Sequence, residues 1–202
     1  VGYSEPIDIE MDYEKLLTRI YSIEEKPDWV PYMTSYYKKS WGFCMTATQK
    51  RKLPKGKYKV FIDSKLEAGI LEMSHAILKG KKEEEILISS YVCHPSMANN
   101  ELSGPVVLNA LLDYVKGIKN RQYTYRFILQ PETIGSIAYL SRYSKELKEK
   151  TVCGFNLSCV GDNRGYSFVG TPFKDTIADE ALYAALFKLD NFTEHSFLKR
   201  GS

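Results

Sequence analysis

One strand-like run constrains this chain more than any other feature. Glu85-Ile86-Leu87-Ile88-Ser89-Ser90-Tyr91-Val92-Cys93 is apolar and β-branched enough to form a buried strand, and it delivers the chain directly into His94. A helical pattern then opens at Ser103 and runs to Ile118, with apolar residues at Val107, Leu108, Leu111, Leu112 and Val115. Ser103 is the candidate N-cap and Pro105 sits in the first turn. His94 is therefore expected at the carboxyl end of a central strand, where α/β enzymes keep their chemistry.

The same rhythm continues downstream. Arg126–Gln130 reads as a short strand, Ile134–Leu147 as a helix, Val152–Val160 as a strand, Tyr166–Gly170 as a hairpin-like strand, and Lys174–Leu189 as a helix. Such alternation predicts an α/β fold with a largely parallel central sheet covered by helices on both faces. Three loops then share one edge of that sheet: His94 follows the first strand, Glu132 the second and Asp162 the third. One imidazole and two carboxylates from successive strand ends form the ligand set of a hydrolytic zinc site with a position left open for water. Each residue also has a plainer role: Glu132 as a carboxylate in a helix's first turn, Asp162 as a turn former, Ser103 as a cap.

Upstream the character differs. Asp12–Ile23 carries Leu16, Leu17, Ile20 and Tyr21 at helical spacing, and from Pro27 to Gly80 the chain is rich in Tyr, Trp and Thr, with strand candidates at Trp41–Thr46, Tyr58–Ile62 and Gly69–Leu78. This segment reads as a small β-rich subdomain whose aromatics Tyr32, Tyr36, Tyr37 and Trp41 either pack its core or offer a stacking platform. His75, within it, is expected to be structural, and His195 to lie on the surface. The formal net charge of +3 and the mixing of lysine with glutamate, as in Lys79–Glu85, argue against a nucleic-acid surface. No apolar run approaches the ~20 residues of a membrane span. The four cysteines lack a Cys-x-x-Cys spacing and suggest buried reduced thiols in a cytoplasmic protein. The chain starts at Val1 and shows no export signal, so something upstream is expected to be missing. A nucleophilic hydrolase using Ser103 or Cys93 is disfavoured, since no Gly-x-Ser-x-Gly elbow is present and Ser103 reads as a helix cap.

Several stretches together resemble a known family. His94 to Gly104 is similar to the His…Asp-Asn-x-Ser-Gly signature of the co-catalytic zinc aminopeptidases. Pro31–Lys38 with Trp41-Gly42-Phe43-Cys44, Cys93-His94-Pro95-Ser96, Leu102-Ser103-Gly104, Pro131–Ser136 and Cys159-Val160-Gly161-Asp162 resemble an aminopeptidase-like family of bacterial polysaccharide-biosynthesis clusters, over about residues 11 to 202. The resemblance implies a zinc-aminopeptidase-like three-layer sandwich formed by residues 1–26 and 83–202, interrupted by a β-rich insertion at 27–82. It also implies a further segment beyond Ser202 bearing a final histidine ligand.

On that resemblance His94 matches the first metal ligand and Glu132 one member of an acidic pair, either the general base or a ligand. Asn100 stands where a metal-bridging aspartate is expected, and a neutral amide cannot hold two dications together. Glu101 is positioned to supply the missing carboxylate, or to act as base should Glu132 bind metal. Pro131 replaces the other acid of the pair, Ser158 stands where aspartate is common, and Asp162 offers compensation. The expected site is thus His94, Asp162 and Glu101 as metal ligands, Glu132 as catalytic base, and Asn100 and Ser103 around the substrate, with one zinc ion rather than two. The expected function is aminopeptidase-like hydrolysis of a small amide or peptide, with no nucleic acid or membrane partner and a possible homo-oligomer. The competing reading is a non-catalytic module that binds a glycan, peptide or protein.

Overall fold

The computed structural model describes residues 1–35, 37–94, 97–189 and 191–199. The chain divides into two compact units, Val1–Gly69 and Ile70–Ser202.

In the first unit β1 (Ile7–Asp12) pairs antiparallel with β4 (Lys57–Ile62), and α1 (Tyr13–Leu17) follows β1 directly. Ile7, Ile9 and Met11 stand opposite Ile62, Val60 and Tyr58, so one face of this ribbon is apolar. It packs on Leu16, Ile20 and Trp41. The helix expected over Asp12–Ile23 stops at Leu17, because Ile20–Tyr21 (β2) leaves the helical path to pair with Phe43–Cys44 (β3). The strand expected over Trp41–Thr46 shrinks to β3, since Thr46 caps α2 (Ala47–Arg51) through a reciprocal capping box with Gln49. Trp41 is a core residue at 7 % exposure with the Arg19 guanidinium over its ring, whereas Tyr37 is exposed. Tyr36, from the same expected platform, lies outside the described residues.

The second unit is a mixed α/β body. Its sheet has the order β5-β7-β6-β8, built from β5 (Ser74–Leu78), β6 (Glu85–Tyr91), β7 (Thr124–Gln130) and β8 (Thr151–Asn156). The last three are parallel; β5 pairs antiparallel with β7. So β5 belongs to this sheet, and residues 1–26 belong with 27–69, a division that differs from the expected boundaries at 27 and 82. Helix α3 (Ser103–Gly117) joins β6 to β7, and α4 (Ile134–Lys150) joins β7 to β8. Phe127 packs with Ile88 and with Leu108 and Val115 of α3, while its neighbour Ile128 packs with Tyr139 and Leu147 of α4. Successive strand residues face opposite sides, so the two helices lie on opposite faces of the sheet.

Beyond β8, β9 (Tyr166–Val169) and β10 (Phe192–His195) form a parallel pair joined through α5 (Ile177–Leu186), which places the exposed His195 in a strand. All four cysteines are free thiols, and Cys93 and Cys159 are exposed rather than buried. Among the described residues no helix is long and apolar enough to cross a membrane.

Candidate functional site

From β6 the chain passes through α3 to β7 on one side, and from β7 it returns through α4 to β8 on the other. Strand β6 thereby sits at the point where the winding reverses, and the loops after the strands open a crevice at its carboxyl end. Tyr91, Cys93 and His94 occupy that end.

Between β6 and α3 the chain makes a π-helical turn, Ala98–Leu102. Turns of this kind carry a wide hydrogen-bond ring and gather at functional sites. Here the turn sends Glu101 inward, where it is 3 % exposed. One carboxylate oxygen lies 2.6 Å from His94 Nδ1, and the other accepts from the Cys93 backbone N–H at 3.1 Å. An ionised carboxylate only accepts, so His94 Nδ1 carries the proton and, in the neutral ring, Nε2 presents its lone pair. A buried carboxylate has in this way fixed both the orientation and the tautomer of the imidazole, the arrangement that supports histidines at metal centres and in proton transfer.

Beside this pair lies a neutral cluster. The Tyr91 hydroxyl donates to Asn100 Oδ1, and the Ser158 hydroxyl is 2.7 Å from it. With its single proton directed at Asn100, Tyr91 accepts from Ser158. Burial pushes the Tyr91 phenol above its ordinary value, against the hydrogen bond from Ser158. Asn100 and Ser158, two of the three positions where carboxylates were expected, are thus tied together by a hydroxyl from the sheet.

Glu132 follows β7, and its backbone N–H donates to Cys93 Sγ at 2.8 Å. That contact brings the β6 and β7 loops together and leaves the Glu132 side chain exposed. Burial holds the Cys93 thiol above its ordinary value, with the Glu132 N–H acting in the opposite direction. Thr133 adopts φ 54° and Cys159 φ 53°, left-handed values uncommon outside glycine. The loops after β7 and β8 therefore each carry one strained residue at this edge.

Ser103 is not a helix cap. Its hydroxyl donates to the Asn99 carbonyl and accepts from Val160 N–H at 3.0 Å, while the position preceding α3 is Leu102 and lacks a side-chain cap. Asn99 Oδ1 accepts from Gly161 N–H at 2.8 Å, so these two side chains pin the loop after β8 to the start of α3. A Cβ on Gly161 would come within 2.8 Å of Ser103 Cβ, and the close approach explains the glycine. Asp162 turns to its own loop: it accepts from Arg164 N–H at 2.9 Å and lies 3.5 Å from Arg164 Nε. These contacts hold its carboxyl below the usual value.

Of the expected residues the structure therefore joins His94 to Glu101 directly and Glu132 to them through Cys93, while the Asp162 carboxylate is engaged by Arg164. Among the described residues no group of three or more His, Cys, Asp or Glu side chains is placed to hold a metal ion. A catalytic zinc takes three protein ligands, and here the imidazole is one donor of suitable chemistry, while Glu101 spends its two oxygens on His94 Nδ1 and the Cys93 N–H. Tyr91 was absent from the expected site, and Cys93 entered only as a disfavoured nucleophile. Both lie within the strand-like run, and nothing in their spacing distinguishes them from packing residues.

Fold and site define a mixed α/β domain with an oriented histidine at the carboxyl edge of its parallel strands. The chain belongs to the family described as Domain of unknown function (DUF4910), whose model matches residues 14–202. It is similar to a Clostridium acetobutylicum protein provisionally named a polysaccharide biosynthesis protein with aminopeptidase-like domain, at 38% identity over 186 residues, which is 92% of this chain and 42% of the relative. A crystal structure provisionally described as a peptidase, from the same organism, matches with a TM-score of 0.92 at 36% identity, covering 100% of this chain and 48% of that one. The chain thus spans less than half the length of each of these relatives.

Proposed function

We propose that this chain carries part of the active site of an aminopeptidase-like amide hydrolase whose substrate is a small amide or peptide, used in the making of a surface polysaccharide. The observation that carries the reading is the buried Glu101 carboxylate orienting His94 at the end of β6. The relatives' names add the aminopeptidase-like class and the polysaccharide setting. The parallel strands between α3 and α4 suit the three-layer zinc-peptidase arrangement.

In this reading His94 is the donor that this chain contributes toward one zinc ion, Glu101 orients it from Nδ1 on the far side of the ring, and the neutral pairing of Asn100 with Tyr91 disfavours a second ion. Zinc, when bound, would lower the pKa of a coordinated water to about 7 and polarise an amide carbonyl. The Glu132 carboxylate, exposed on the neighbouring loop, takes the proton released by the attacking water and returns it to the leaving amine nitrogen. Asn99 and Ser103 hold the β8 loop against the start of α3 and so keep the crevice wall in place.

The test is zinc content by plasma mass spectrometry, on this chain and on the full-length relative from Clostridium acetobutylicum, each beside its counterpart of His94→Ala. Near one equivalent in the relative, lost on substitution with the fold retained, supports the reading. No zinc in the relative, or zinc unaffected by the substitution, overturns it in favour of a non-catalytic binding module.

A further inference from the structure

We propose a second site on the other side of the sheet, in which Arg142 and His75 bind a small oxyanion such as a carboxylate or phosphate group. Met73, Ser74 and His75 of the β5 edge, with Tyr139, Arg142 and Tyr143 of α4, line a shallow cavity of about 80 Å³. That is room for a few waters or the head of one small oxyanion.

The polar groups of this cavity are set from within the core by a chain of hydrogen bonds whose direction is forced. Arg126 is fully buried, and a guanidinium has no acceptor, so Tyr139 accepts from Arg126 Nη1 at 3.1 Å. The single Tyr139 proton is then directed at His75 Nδ1, 2.7 Å away. His75 Nδ1 is an acceptor, and in the neutral ring the proton resides on Nε2, the polar atom left to the cavity wall. The rings of Tyr139 and Tyr143, with centroids 5.7 Å and 5.3 Å from that of His75, hold the imidazole in place.

Arg142 supplies the charge. Glu146, one turn further along α4, would ordinarily pair with it, yet Glu146 is engaged by Arg126 at 2.8 Å and Lys150 at 3.9 Å. Among the described residues Arg142 enters no ion pair. An imidazole N–H locked as donor and an unpaired guanidinium fork make a wall whose fixed polarity suits an acceptor with negative charge.

The experiment follows the His75 ring by nitrogen–proton NMR, with the signal assigned among the three histidines by His75→Phe. Sodium acetate and inorganic phosphate are titrated at one fixed pH against sodium chloride at matched ionic strength. The expected result is a saturable shift at millimolar concentration, the range so few atoms can reach, weakened about tenfold or more in Arg142→Gln. Arg142 is exposed, so this variant keeps the fold, and its unfolding midpoint checks that. Tighter acetate than phosphate identifies a carboxylate subsite, and the reverse a phosphate subsite. A shift that grows linearly, that chloride reproduces, or that Arg142→Gln leaves unchanged overturns the proposal. None of these outcomes depends on zinc or on the crevice at β6.

Discussion

Replacing Glu85 with alanine removes one half of an ion pair enclosed by the sheet and α4. Arg126 is 0 % exposed and Glu85 1 %, and they meet in two parallel hydrogen bonds, Nε to Oε2 at 2.6 Å and Nη2 to Oε1 at 3.1 Å. Burial alone would lower the Arg126 value, but Glu85 and Tyr139 hold it above its ordinary range, and a guanidinium is too basic to lose its proton even without its partner. Breaking such a pair costs about 3–5 kcal/mol, because a charge is left buried without its counterion. Glu146 remains on Nη2 as a partly exposed counterion while Nε is left without a partner, so we place Glu85→Ala near ~3 kcal/mol, the low end of that range. For a unit of about 130 residues that corresponds to a fall of roughly 10 °C in its midpoint. Far-UV circular dichroism under heating and urea reads the loss of the sheet; both tryptophans, Trp29 and Trp41, lie in the first unit, so their fluorescence separates its transition. The double substitution Glu85→Leu with Arg126→Met removes both charges and should cost less than Glu85→Ala alone. A cost under about 1 kcal/mol for Glu85→Ala would place the pair with solvated surface bridges and refute this reasoning.

Other substitutions probe the packing beneath the crevice and the start of α5. In Gly104→Ala the new methyl would overlap Ser90 Oγ and approach the Leu157 carbonyl oxygen to 2.5 Å; the hydroxyl can move and the strand carbonyl cannot, so a loss of about 2–3 kcal/mol in urea unfolding is expected. Adding Ser90→Ala to it should recover less than half of that loss. Burial pushes the Asp179 carboxyl upward, but donors from Thr171 and Thr176 bring it down to about 2. Its stabilisation is therefore fully present above the ordinary 3.8 and is lost as pH falls toward about 2. Asp179→Asn should lower the midpoint at neutral pH and flatten its decline across that acid window; an equally steep decline in the variant would count against the assignment.

Much of the α/β rhythm was readable because α3 and α4 repeat their apolar residues at helical spacing and β6 and β7 are continuous apolar runs. The first unit was harder. Ile7, Ile9 and Met11 alternate cleanly with Asp8, Glu10 and Asp12, a strand signal, yet the partner strand lies some fifty residues on, and a two-residue strand such as β2 has no period at all. The charges inside the core were half legible: Arg126 interrupts an apolar run, the place where a charge needs a partner, whereas Glu85 ends the charged run Glu83-Glu84-Glu85 and carries no such sign. At the site, the strand ends told where His94 would stand. They did not tell that Asp162 would be taken by Arg164 two residues away, where a local turn contact costs less chain entropy than reaching across the crevice.

By itself the sequence determined most strands and helices of the second unit, and that His94 and Glu132 come out at one edge of the sheet, because hydrophobic period and strand direction are local and additive. Only the tertiary structure decided which side chains meet there. The π-helical turn that sends Glu101 to His94, the Tyr91 hydroxyl that joins Asn100 to Ser158, and the relay from Arg126 through Tyr139 to His75 depend on angstrom-scale register between elements far apart in the chain. Such meetings are set by packing, where every neighbour must fit at once, and no spacing along a sequence encodes them.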